Sequence, residues 1–383
     1  MKYNLSDICE YAKGKVDVAV LDENTYISTE NMMPNKGGIT SASSLPTITQ
    51  TQAFLADDVL VSNIRPYFKK IWFAEFDGGC SNDVLVFRAK DGVSKRFLYY
   101  VLANDAFFDY SMATSKGTKM PRGDKAAIMK YEVPDFIYKE QEKIAGILEV
   151  LDRKIQLNAE INENLYAQVR AITKHWITEN KRDYKLLPLV EIASINPDTY
   201  SPREEWEYVN YLDTSNIIDG CITEIQHINP LNEKLPSRAR RKLFSNDIVF
   251  STVRPNQRHF GIISVPMPNM LGSTGFAVIR SNNPLVCNEL IYLCLTENTF
   301  IEKMQLLAEQ STSTFPSIKP SDLGVCEIPC PKDNSSKNFT ETLRFMFALI
   351  AENQRENISL TTIRDTLLPE LMSGELDVSN IDI

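Results

Sequence analysis

The sequence predicts an α+β chain: two tandem mixed α/β domains, each followed by a long helix, with the two helices forming an antiparallel coiled coil. Three observations predict it. Ile144, Leu148, Leu151, Ile155, Asn158, Asn162, Leu165, Val169, Ile172 and Trp176 form an unbroken 4-3 stripe, the spacing of a coiled-coil seam rather than of an ordinary surface helix. Phe339, Leu343, Met346, Ile350, Asn353, Asn357, Leu360, Arg364, Leu367 and Leu371 repeat that stripe 195 residues later, with two asparagines at the same two places. The segments ahead of the stripes also align, so the chain is a duplicated unit.

In chain order the reading gives a first domain over 1–133, a central helix and linker over 134–182, a second domain over 183–328, and a distal helix and tail over 329–383. Tyr26 to Met32 matches Tyr211 to Ile217, DDVLVSNIRP (57–66) matches NDIVFSTVRP (246–255), and CSNDVLVFR (80–88) matches GSTGFAVIR (272–280). The last two pairs carry β-branched or aromatic runs bounded by turn residues, and so read as strands. FLYYVLAN from Phe97 and ELIYLCLTE from Glu289 read as short buried helices. Apolar alternation ahead of Pro134 and Pro329 reads as a closing strand, with the proline breaking the pairing and opening the helix. Pro369 falls inside the second stripe, so regular helix is expected to stop or kink near Leu368, with Gly374 as its cap.

In an antiparallel pair the register that places Asn158 against Asn357 and Asn162 against Asn353 also sets Ile155 against Leu360 and Leu165 against Ile350. Buried asparagines at such positions fix register; the competing reading is a seam that merely tolerates water. Leu151 opposite Arg364 is the one poor match. A stripe of about 33 residues at ~1.5 Å each spans about 50 Å, more than one ~34 Å turn of B-DNA, and can act as a spacer.

The composition, 43% hydrophobic and 24% charged, is that of an ordinary globular protein. The sequence contains no apolar run near the ~20 residues that cross a bilayer and no N-terminal signal core, so a cytoplasmic protein is expected. Seven cysteines without a CxxC pair read as core thiols in a reducing compartment. A net charge of −9 argues at first against a nucleic-acid partner. The distribution weakens that objection: Met112 to Lys130 holds five basic residues and one acidic, KLPSRARRK (234–242) holds no acid, and Glu327 to the end holds ten acidic and five basic.

The search for catalysis is negative. No GxxxxGK[ST] loop, GxGxxG turn or NPPY-like motif is present, and His175, His227 and His259 form no HxH or HxxxH pair. Asp57 and Asp58, as strand neighbours, point to opposite faces. No catalytic residue and no metal ligand is assigned. What remains is cationic and polar loop chemistry. Arg65 and Arg254 each precede a proline just past a strand, where a side chain is free to reach into a groove; plain surface arginine is the competing reading. Tyr67, Lys69 and Lys70 continue the first loop, and Asn256, Gln257 and Arg258 the second. Arg, Asn and Gln suit the edges of bases. Lys116, Thr118, Lys119 and Arg122, and in the second copy Ser311, Thr312 and Thr314, offer cations and hydroxyls of the kind that contact phosphate, against a bland flexible loop as the alternative.

QEKIAGILEVLDRKIQLNAEINENL (141–165) with AITKHWI, and LIAENQRENISL with LLPELMSGEL, resemble the central and distal helices of the specificity subunit of type I restriction-modification systems, and the resemblance extends over essentially the whole chain. It implies a non-catalytic reader of double-stranded DNA, with two target-recognition domains each gripping half of a bipartite, asymmetric site and the helices setting the gap. It also implies two modification (methyltransferase) subunits docked on the helices, S-adenosylmethionine held by those subunits and not by this chain, and restriction motor-nuclease subunits that cut unmodified DNA. Two other classes are weighed against it. A standalone nuclease with an unrecognised site predicts magnesium-dependent cleavage by the chain alone, and a protein-binding scaffold predicts no salt-dependent affinity for duplex DNA.

Overall fold

Each domain is built around a strand pair that is buried except at the last two residues of its longer strand, because helices cover one face of its sheet and a second sheet covers the other. The computed structural model describes residues 2–117, 119–311 and 315–378. In the first domain Val59–Ser62 and Val84–Ala89 lie at the centre of an antiparallel sheet flanked by Cys9–Tyr11 and Ile71–Phe73. Val59, Val61, Leu85 and Phe87 pack with the helix Lys95–Ala103 and with long-helix residues. Leu60, Val84 and Val86 point the other way, toward Phe54, Trp72 and Cys80. Continuous apolar runs, rather than strict alternation, are what such two-sided burial requires.

The second domain repeats the plan. Asp247–Ser251 and Phe276–Ser281 are flanked by Ala193–Ile195 and Phe260–Ile263. Ile248, Phe250, Ala277 and Ile279 face the helices, and Val249, Phe276 and Val278 face the second sheet. In that sheet Val209–Leu212 runs parallel to Met270–Ser273, as Tyr26–Ile27 runs parallel to Gly78–Cys80 in the first copy. The copies part at the sheet's fourth strand. Lys15–Asp17 is added beside Gln50–Phe54 in one, and Gln226–Ile228 beside Val209–Leu212, at the opposite edge, in the other.

One ion pair recurs under both sheets. Arg88 clasps the buried Asp58 through two bonds of 2.8 and 2.6 Å, and Arg280 clasps the buried Asp247 at 2.6 and 2.9 Å. Each carboxylate also accepts a backbone N–H, from Leu55 or Phe244, so the charge is taken out of water with partners already supplied. Its neighbour Asp57 faces away and pairs with Lys95 at 2.8 Å.

Contacts divide the chain into two compact units, Met1–Gln156 with Asn357–Ile383, and Leu157–Glu356, so that each unit takes half of each long helix. The helices are Tyr138–Glu179 and Lys337–Ser373. Neither is opened by its proline. Pro134 ends a strand paired with Lys2–Asn4, and Pro329 lies within Glu327–Pro331, paired with Tyr184–Pro188; both are narrow two-stranded ribbons, the setting in which a missing N–H is tolerated.

The halves pair antiparallel within each unit. In the second unit Trp176 stacks on Phe339 at 4.4 Å, Asn353 Nδ2 donates to Asn162 Oδ1 at 2.8 Å, and Asn158 Nδ2 donates to Glu356 Oε2 at 2.7 Å. In the first unit Asn357 Nδ2 donates to the Ile155 carbonyl at 3.1 Å. The expected mismatch at Arg364 is resolved one residue along. Asp152 accepts from Arg364 Nη1 and from the Tyr100 hydroxyl, both at 2.8 Å. The corresponding place in the second unit is apolar, with Phe347 packed edge-on against Tyr292 and Tyr166.

Of the two outcomes expected near Leu368, a stop or a kink, the stop does not occur. The distal helix continues through Pro369 to Ser373, and Gly374 follows in the left-handed conformation at φ 77°. A proline inside a helix costs about 3 kcal/mol or more. Burying Leu368, Leu371 and Met372 in the first unit's core, at roughly 1.5–3 kcal/mol for each large side chain, outweighs that cost.

Candidate nucleic-acid interface

After the central strand of each domain the chain makes the same unusual turn. Arg65 (φ 50°) enters a 3-10 turn, Pro66–Phe68, that Lys69 (φ 50°) leaves; Arg254 (φ 48°) enters Pro255–Gln257, and Arg258 (φ 57°) leaves it. Left-handed backbone at a residue with a Cβ costs on the order of 1–3 kcal/mol, and persists only where the surroundings over-determine it. Here they do. Proline fixes the first turn residue, and backbone N–H groups of Phe68, Lys69, Gln257 and Arg258 close each turn on itself.

The turn is held against the late loop that the sequence marks as a second contact region. Arg65 N–H donates to the Pro121 carbonyl at 2.8 Å, and Arg254 N–H to the Pro316 carbonyl at 2.9 Å. Isolated bridges, Ile64 with Arg122 and Val253 with Ser317, continue the join. A third strand-connecting loop completes the cluster: Asn63 N–H donates to the Asp83 carbonyl, and Thr252 N–H to the Gly275 carbonyl, each at 2.8 Å. Three segments separate in sequence are thus joined in each domain.

The predicted residues divide by what their side chains do. Tyr67 and Phe68 are exposed, with rings 4.7 Å apart. Arg65 is half-buried and its Nε finds no acceptor among the described residues. Arg254 lies over the exposed Phe315 ring at 4.8 Å. Asn256 and Gln257 are exposed, and the Asn256 N–H is held by Gln305. Lys116, Lys119 and Arg122 are exposed; Lys116 pairs with Asp124 at 2.6 Å and Arg122 with Asp83 at 3.0 Å. Ser311 is half-buried at the end of the helix Asn298–Glu309. Thr118, Thr312 and Thr314 lie outside the described residues.

Three predicted contacts are committed inside the fold. Lys69 binds Asp105 at 2.8 Å, Lys70 donates to the Thr29 carbonyl at 2.7 Å, and Arg258 holds Asp219 through two bonds and Asn298 through a third. Asp105 and Asn298 each begin the second domain helix, so the same pillar supports both turns, carboxylate in one copy and amide in the other. Partial burial pushes the Asp105 carboxyl up, but hydrogen bonds from Lys69 and Lys36 outweigh it and hold the group below its ordinary range. Burial lowers Lys70 from its ordinary value. Charge in a loop is visible in sequence; the acceptor that takes it, scores of residues away, is not.

Beside the first turn lies a cleft that the sequence reading missed, lined by Ser28, Thr29, Ser41, Ser44, Ser81 and Asp83. Asp83 links it to Arg122. Hydroxyls in turns are too common a pattern to mark such a cleft without the topology. Among the described residues no cluster of His, Cys, Asp and Glu is arranged to hold a metal, and no helix is long and apolar enough to cross a membrane.

Residues 1–167 match the family model described as the type I restriction modification DNA specificity domain. The chain is 25% identical over 316 residues to the type I restriction enzyme MjaIX specificity subunit of Methanocaldococcus jannaschii, covering 76% of this chain and 71% of that protein. It is 22% identical to the HindI specificity subunit of Haemophilus influenzae, over 98% of this chain and 99% of that one. The fold is similar to the crystal structure of the type I restriction-modification system S subunit from M. genitalium, with a TM-score of 0.56 and 17% identity over 97% of this chain and 96% of that chain.

Proposed function

We propose that this chain, whose residues 1–167 match the specificity-domain family model and which is similar over most of its length to type I specificity subunits, is the DNA-reading subunit of such a complex. Each domain reads one half of a bipartite, asymmetric site in double-stranded DNA. The paired helices set the unspecified gap and dock two modification subunits, whose S-adenosylmethionine supplies the methyl group; restriction motor-nuclease subunits join that assembly. Specificity subunits are non-catalytic, and this chain's part is recognition.

The observation that carries the reading is the repeated turn: Arg65 and Arg254 occupy the same left-handed position, braced by the same late loop, in two otherwise diverged domains. A rigid turn presenting an arginine suits groove recognition, because a guanidinium fork can meet guanine O6 and N7 together. Exposed Tyr67, Asn256 and Gln257 surround it with further groups able to meet bases.

The test is co-expression with the cognate modification subunits in a methylation-free host, followed by whole-genome modification sequencing. A two-part methyladenine motif with a fixed gap is expected. Absence of any such motif overturns the proposal.

A further inference from the structure

The second domain carries a row of cations that the turn does not absorb. Between Lys234 and Lys242 the sequence has three arginines, Arg238, Arg240 and Arg241, and no acidic residue. The last two lie in the strand Ala239–Lys242, which pairs on one side with Met270–Ser273 and whose register shifts between Ala239 and Arg241, so that a bulge rather than simple alternation sets where Arg240 and Arg241 point. The corresponding strand of the first domain, Gln50–Phe54, reads QTQAF and has no charge.

Two bland explanations fail on the structure. Charge on an outer strand commonly guards its edge against pairing with another chain, but this edge is already covered. Tyr200 N–H donates to the Arg240 carbonyl at 2.7 Å, Lys242 N–H to the Asp198 carbonyl at 3.2 Å, and Thr199 bridges Arg241. Ion pairing within the fold accounts for Lys242 alone, which meets Glu204 at 2.5 Å and lies 5.4 Å from the Trp206 ring. Arg238, Arg240 and Arg241 form no ion pair among the described residues, and Arg240 Nη1 and Arg241 Nε are shielded without an acceptor there. Burial also lowers Arg241 from its ordinary value, as expected for a guanidinium with no facing carboxylate. Both side chains are nonetheless only half-buried, and a partly exposed guanidinium without a facing carboxylate favours an anionic oxygen ligand.

The row is continuous with the proposed interface. The Arg238 carbonyl accepts from Thr274 N–H at 2.8 Å; the next residue, Gly275, accepts from Thr252 at 2.8 Å, two residues before Arg254. We infer that Arg238, Arg240 and Arg241 form a phosphate rail, gripping the DNA backbone beside the half-site read by the Arg254 turn and having no counterpart in the first domain. This rests on the DNA-reading role proposed above. The rail supplies affinity and orientation, while base choice stays with the turn.

The full chain is titrated with a fluorescent duplex at several salt concentrations, as wild type and as Arg240→Gln/Arg241→Gln. Each phosphate contact adds about 0.9 to the slope of log affinity against log salt, so the double variant is expected to flatten that slope by roughly 2 and to weaken specific and unrelated duplexes alike. In the co-expression assay its methylated motif is expected to be unchanged. If the pair proves unstable by thermal unfolding, Arg238→Gln, an exposed position just ahead of the strand, is expected to flatten the slope by about 0.9. A folded variant with the wild-type slope overturns the rail and leaves the DNA-reading role standing. A wild-type chain with no salt-dependent duplex binding overturns both.

Discussion

At the scale of single residues, the side chains that matter are those the fold holds without using up. Arg254 is fixed by a left-handed backbone and stacked on Phe315, so its fork is presented at little further entropic cost. Replacing it by alanine is expected to weaken only the half-site read by the second domain, by about 1–3 kcal/mol if the contact is bidentate to a base. Binding of duplexes altered in one half-site at a time checks this; an equal loss on unrelated DNA would identify a phosphate contact instead. Asp105 makes a complementary prediction about stability. Its carboxyl is held below the ordinary range, so its contribution is fully present above the unfolded value near ~3.9 and is lost as pH falls through the lower folded value. Asp105→Asn is therefore expected to flatten the acid limb of a plot of melting temperature against pH, below about pH 4. Parallel curves for variant and wild type would contradict it. Arginine before proline was legible as a projecting group, whereas the engagement of Lys69, Lys70 and Arg258 was not, because their acceptors come from other loops and from the starts of helices.

Among elements, the long helices were the most legible, since a sustained 4-3 stripe marks a helix with one apolar face and its repeat 195 residues later supplied a second. The seam's polar places are answered by polar groups: Asn162 by Asn353, Asn158 by Glu356, and Arg364 by Asp152. Pairwise reading of a single stripe overlooked Asp152, which sits one position off the seam. It also left a stop at Leu368 open, which does not occur because local propensity loses there to buried Leu368, Leu371 and Met372. A seven-residue insertion preserves the stripe's phase. One heptad added after Gln156 and another after Glu356 should lengthen the methylated motif's gap by about three base pairs, since seven residues at ~1.5 Å give about 10.5 Å and DNA rises ~3.4 Å per pair. The readout is the motif recovered by modification sequencing, with both half-sites retained; an unchanged gap would remove the spacer role from the helices.

For the molecule as a whole, duplication is what made the fold readable from one sequence. Matched runs such as DDVLVSNIRP and NDIVFSTVRP located the same central strand and turn twice. Where the copies differ, at the fourth strand of the second sheet and along the arginine row, no internal template existed, and short strands of two or three residues carry too little periodicity to be found alone. The partition of contacts also bears on how the chain is made. Residues 157–356 form one continuous unit, but the first unit is completed only by residues from Asn357 onward. Ile144, Ala145 and Leu148 share a core with Leu368, Leu371 and Met372. During synthesis their apolar face must therefore wait for the whole intervening unit to be translated, roughly 10 to 40 s at ~5–20 residues per second. A chain interrupted just after Glu356 would leave the later-made domain with both its helix halves and the earlier-made one with a bare hydrophobic stripe.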